Sequence, residues 1–157
     1  MIRLRFVEGE GLASDLIELR EGTCMPLYPS HVEAVDGGSY VGQHVEGGMK
    51  ARYAGYDAPF RKELFVDLPA TPEQTVRFYQ ALWKAVGEPY DWEAILGFAL
   101  PGHFHAKGDA ICSAKMFLLL RDKADWFPSR APVAVPAHCI DPRDLLLMIS
   151  AIVEVPH

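Results

Sequence analysis

The feature that most constrains this chain is a change in the period of its apolar residues. Near the start they alternate: Ile2, Leu4 and Phe6 are separated by Arg3 and Arg5, the period of two expected of a half-buried strand. Further strand-like runs lie at 16–19, 31–35, 39–45, 49–53 and 62–68. The runs 31–35 and 39–45 are joined by Asp36-Gly37-Gly38, which is hairpin-turn chemistry. From residue 71 the period lengthens. Thr71-Pro72-Glu73-Gln74 reads as a capping box with proline at the first helical position. Val76, Tyr79, Leu82, Trp83 and Val86 then mark one helical face, and Gly87 supplies the stop. A short helix over 92–99 and a loop over 101–108 follow. Asp109 caps a helix predicted over 110–122. Pro128 and Pro132 leave 126–135 irregular or an edge strand. Asp141-Pro142 starts a last helix with Leu145, Leu146, Met148, Ile149 and Ile152 on its apolar side. Strands first and helices second predict an α+β fold. A length of 157 residues without repeat or linker predicts one domain over 1–157.

Composition narrows the function classes. Half of the chain is apolar and 23% is charged, which fits a packed core rather than disorder. The longest uninterrupted apolar runs are five residues, as at 116–120, far short of the ~20 needed to span a bilayer. Integral membrane association is therefore not expected. The first residues hold no apolar core of a signal peptide, so a cytoplasmic or phage-associated location is expected. With a net charge of −6 and scattered Lys and Arg, no nucleic-acid partner is expected. There is no phosphate-binding loop, and no cofactor is expected.

Three cysteines, Cys24, Cys112 and Cys139, make an odd and sparse set that excludes a disulfide scaffold. Cys112 follows Asp109 by three positions, so a cap there places its thiol in the first helical turn, where the dipole favours a thiolate. The competing role for Cys112 is a small buried core residue, as free cysteines commonly are. A nucleophilic thiolate needs an imidazole. His31 lies on a predicted strand, and Glu33, two residues on, shares its face. His44 lies on the returning strand, where it can pair across the hairpin with His31. For metals, His103, His105, His138, Cys139 and Cys112 match no zinc spacing, and no metal is expected.

Three segments taken in order, Ser30-His31-Val32-Glu33, Gly87-Glu88-Pro89-Tyr90-Asp91-Trp92 and Ile111-Cys112-Ser113, resemble the papain-like amidases of the NlpC superfamily. The histidine strand precedes the Cys-Ser helix, the order of the circularly permuted branch that holds the YiiX-like hydrolases and the lecithin:retinol acyltransferase-like enzymes. The resemblance implies a papain-like fold, a small antiparallel sheet packed against helices. It implies Cys112 as nucleophile, His31 as general base and Tyr90 beside the cysteine as an oxyanion partner. The third polar member is His44 or Glu33: family logic favours His44, while a carboxylate better orients an imidazolium. One departure stands out. Many permuted relatives read Cys-Ser-Glu, and this chain has Cys112-Ser113-Ala114.

The function implied is that of a thiol hydrolase or acyltransferase acting on an amide or ester, a cell-wall peptide or a lipid-like acyl group, through a Cys–His acyl-enzyme. The other class is a non-enzymatic binding or structural module, phage-related, that keeps the papain-like fold. The two differ in geometry. An enzyme needs the Cys112 sulfur within hydrogen-bonding reach of a His31 nitrogen in an open groove, and a module has a cysteine buried away from any histidine.

Overall fold

A computed structural model describes residues 1–9, 29–44, 47–57, 60–89, 112–128 and 137–155. Five strands form one antiparallel sheet: β1 (Ile2–Glu8), β2 (His31–Asp36), β3 (Ser39–His44), β4 (Gly48–Tyr53) and β5 (Lys62–Leu68), in the spatial order β4-β3-β2-β1-β5. The hairpin between β2 and β3 turns on Gly37 and Gly38, both at positive φ (54° and 87°). Residues with a Cβ resist that conformation at two successive positions. The strand candidate at 16–19 lies outside the described residues.

Alternation divides the sheet into two faces. Ile2, Leu4, Phe6, Val32, Ala34, Val41, Val66 and Leu68 are fully buried in one core. Arg5, Glu33 and Glu63 meet on the opposite face, joined by side-chain ion pairs. Helices complete the core. In α1 (Pro72–Lys84), the Thr71 hydroxyl accepts from Gln74 N at 3.1 Å and the Gln74 side chain accepts from Thr71 N at 3.0 Å. This is the capping box read from sequence, and it satisfies two otherwise orphaned donors.

The buried residues of α1 are Phe78 and Leu82, with Ala85 buried at its C-cap, a face rotated from the expected one. Val76, Trp83 and Val86 are exposed. The rotation has a polar cause: the Trp83 indole donates to Asp36 Oδ2 at 2.7 Å, and the Tyr79 hydroxyl donates to the Val35 carbonyl at 2.8 Å. These amphipathic rings lie along the rim, and Phe78 and Leu82 fill the interior, each worth about 1.5–3 kcal/mol of burial.

The helix that carries Cys112, α2 (Cys112–Leu118), runs on as a π-helical stretch over Leu119–Lys123. There Ala124 N donates to Leu119 O at 2.9 Å. The expected helix over 110–122 is therefore present from Cys112, with wider hydrogen bonding from Leu119. Asp109, its expected cap, lies outside the described residues, as do 92–99 and 101–108. The last helix, α3 (Pro142–Ser150), is capped by Asp141, which accepts from Asp144 N at 2.7 Å. Leu145, Leu146 and Ile149 are buried as expected, whereas Ile152 lies beyond the helix end and is 39% exposed. Ser113 locks α2 to the segment before α3: its buried hydroxyl donates to Ile140 O at 2.7 Å. No helix among the described residues is long and apolar enough to cross a membrane.

Candidate active site

The site is built on the β2–β3 hairpin. His31 opens β2, and Glu33 follows two residues later on the same side. The β2–β3 register pairs Glu33 with Gly42. Continued by two residues, it sets His44, the last residue of β3, opposite His31. The two imidazole rings lie 5.0 Å apart between centroids. His31 Nε2 approaches Glu33 Oε1 at 3.5 Å, and His44 Nε2 approaches the same oxygen at 3.2 Å. The geometry thus unites both candidates for the third position, with Glu33 between the two rings.

Gly42 makes room for this carboxylate. A Cβ there would stand 2.9 Å from Glu33 Cγ and 3.2 Å from Val32 O, closer than packed carbons approach.

Glu33 is completely buried, so its charge needs partners. Arg5, its register partner on β1, donates from a guanidinium nitrogen to Glu33 Oε2 at 2.9 Å. The same buried guanidinium reaches Glu63 at 2.8 Å and Asp57 at 2.9 Å and 3.2 Å. It lies over the Tyr40 ring, 4.4 Å from its centroid, and 5.0 Å from that of Phe60. On the other carboxylate oxygen, the Tyr56 hydroxyl donates to Oε1 at 2.8 Å. Tyr56 Oη also lies 3.3 Å from His44 Nδ1. A hydroxyl has one proton, and the shorter contact uses it, so His44 Nδ1 donates to Tyr56.

Cys112 completes the group. It is buried at the start of the described part of α2, and it acts on the His31 ring electrostatically. Burial alone favours a neutral His31. The charge of Cys112, a hydrogen bond to it and the neighbouring Glu33 carboxylate outweigh burial and push His31 up to about 10. Burial likewise opposes charge on Glu33, yet His31, His44 and Tyr56 hold its carboxyl well below the usual carboxylate range. His44 is pushed the other way: burial, with the His31 charge beside it, outweighs Glu33 and keeps that ring below the ordinary imidazole value. The two histidines are thereby differentiated, one held as a cation and one neutral.

Of the site residues expected from sequence, His31, Glu33 and His44 come together, and Cys112 acts on His31 electrostatically. Tyr90 lies outside the described residues, as does Cys24. Cys139 is exposed. For metals, His31, Glu33 and His44 each bring one ligand atom to within 4.8 Å of the others. Of the residues weighed earlier for zinc, His103 and His105 lie outside the described residues. Ala114 is 2% exposed and packed in the interior.

Arg5, Tyr56, Asp57 and Gly42 were not singled out from the sequence. A signal for Arg5 exists: an arginine alternating with core residues on one strand, and a glutamate doing the same on another, are candidates for cross-strand pairing. Tyr56 and Asp57 sit in a turn and carry no such pattern. Compared with known proteins, the chain matches no family model, no curated protein and no solved structure.

Proposed function

We propose that this chain is a thiol hydrolase or acyltransferase with Cys112 as nucleophile and His31 as its general base. The reading is supported above all by Glu33, buried and 3.5 Å from His31 on the same strand face, and by the way Cys112 and Glu33 together favour His31 as a cation. The mechanism proposed uses the form with the proton on nitrogen and the negative charge on sulfur, the reactive form of a thiol. Glu33 keeps the imidazolium oriented, the part a carboxylate plays in Cys/Ser–His triads. His44 and Tyr56 hold Glu33 in turn. The order of β2 before α2 agrees with the permuted papain-like arrangement implied by the resemblance, which we carry forward as part of the proposal.

In the mechanism proposed, the Cys112 sulfur attacks the carbonyl carbon of an amide or ester. The carbonyl π-bond opens to an oxyanion. As the tetrahedral adduct collapses, His31 gives its proton to the leaving nitrogen or oxygen, and an S-acyl Cys112 remains. His31 then takes a proton from water or an acceptor hydroxyl as that oxygen attacks the thioester. The acid or the transferred ester leaves, and the proton returns to the pair. The class of substrate, a cell-wall peptide or lipid-like acyl group, follows from the resemblance.

The experiment is to incubate the protein with a panel of activated peptide amides and acyl esters and to measure intact mass after rapid acid quench. An added acyl mass that maps to Cys112 and is absent from Cys112→Ala is expected. No adduct at Cys112 with any amide or ester would count against the reading.

A further inference from the structure

Two buried ring nitrogens converge on Glu33 Oε1. Tyr56 donates its one proton to this oxygen, and His44 Nδ1 donates to Tyr56. His44 Nε2 stands 3.2 Å from that carboxylate oxygen. His31 Nε2 stands 3.5 Å from the same oxygen. Both nitrogens are buried, and neither makes an aligned hydrogen bond. Two ring nitrogens and a carboxylate oxygen at such range are held together by positive charge between them, a proton or a metal cation.

We propose that His31 Nε2, His44 Nε2 and Glu33 Oε1 form a binding site for a divalent transition-metal cation of the zinc class, and that its uptake switches off the thiol chemistry. Distances support this. Ligands about 2.0–2.1 Å from a tetrahedral ion lie about 3.3–3.4 Å from one another, and the two measured separations from Glu33 Oε1, 3.2 Å and 3.5 Å, bracket that edge. The donor set, two imidazoles and one carboxylate, is one that zinc accepts, with water in the fourth place. The outer contacts are also of the required kind. The other nitrogen of His44 is fixed by Tyr56, and Glu33 Oε2 is held by Arg5, as ligands of bound metals usually are. Arg5 with Glu33, Asp57 and Glu63 brings two more negative than positive charges, and Arg52, over the Tyr56 ring, returns one positive charge. Cys112 is not part of the mutually close set, so the site does not need a thiolate. A bound ion occupies the histidine that the nucleophile uses. The inhibitory consequence therefore rests on the proposed thiol mechanism, whereas the binding does not.

The test has two arms. Zinc chloride is titrated calorimetrically at neutral pH into the full chain with Cys24, Cys112 and Cys139 all changed to Ala. One equivalent should bind, and Glu33→Gln or His44→Gln in that background should weaken it by about tenfold or more. Circular dichroism checks that each variant stays folded. Failure of the thiol-free chain to bind, or equal binding in both variants, would overturn the site. In the second arm, iodoacetamide labelling of Cys112 in the unmodified chain should slow several-fold with one equivalent of zinc. Unchanged labelling of a reactive Cys112 overturns the switch. If Cys112 labels no faster than Cys139 but zinc still binds the thiol-free chain, the thiol mechanism fails and the metal site stands.

Discussion

At the scale of residues, one carboxylate oxygen organises the chemistry. Glu33 Oε1 faces His31, His44 and Tyr56, while Oε2 belongs to Arg5. His31 is held as a cation chiefly by Cys112 once burial is overcome, with its value pushed up to about 10. A histidine raised in this way keeps its proton through neutral pH and loses it only as pH rises through that value. In an NMR titration, the His31 C2 proton should not move between pH 6 and 8.5 and should titrate near pH 10. In Cys112→Ala it should titrate lower, because the largest favourable partner is gone. Titration near the ordinary imidazole value, about 6.5, in both proteins would contradict the pairing. These residue roles were partly legible. Spacing put Glu33 on the His31 face and His44 across the hairpin. It could not show that Glu33 stands between the rings, because side-chain reach depends on a strand register that a single sequence does not state.

At the scale of elements, the β2–β3 hairpin is the device that gathers the site. Its two-glycine turn fixes the register, and the register sets Gly42 opposite Glu33. Gly42→Ala inserts a methyl group 2.9 Å from Glu33 Cγ and 3.2 Å from a backbone oxygen. The variant should lose about 1–3 kcal/mol by urea denaturation and should also label more slowly at Cys112, because Glu33 must shift from between the histidines. Unchanged stability and unchanged labelling would show that the pocket around Glu33 has slack. Strand and helix positions were largely legible because alternation and capping are local signals. The face of α1 was less so. An apolar arc holding both Phe78 and Trp83 can be buried on either side, and the polar anchors of Trp83 and Tyr79 lie on β2 and at its end, distant in sequence.

At the scale of the molecule, the sheet has two unlike faces. One is the apolar core under the helices, and the other carries a buried ion network that ties β1, β2, β5 and the turn after β4 together through Arg5. Removing one member leaves buried charge unpaired. Arg5→Met should therefore lower stability by about 3–5 kcal/mol, and adding Glu33→Gln should restore part of the loss. A loss under about 1 kcal/mol by chemical denaturation would show the network to be dispensable. Strands followed by helices announced the α+β class. The ionic face was not announced, because arginine in an alternating strand reads first as solvent-exposed. Burial also sharpens the central test. Cys112 is 4% exposed and Cys139 is exposed, so an inert Cys112 would be the slower of the two to alkylate. The most direct measurement is the rate of iodoacetamide labelling at each cysteine near neutral pH, in the unmodified chain and in His31→Ala. Cys112 should label faster than Cys139 despite its burial, and His31→Ala should abolish that advantage. A Cys112 that labels no faster than Cys139, with no effect of His31→Ala, would contradict the account.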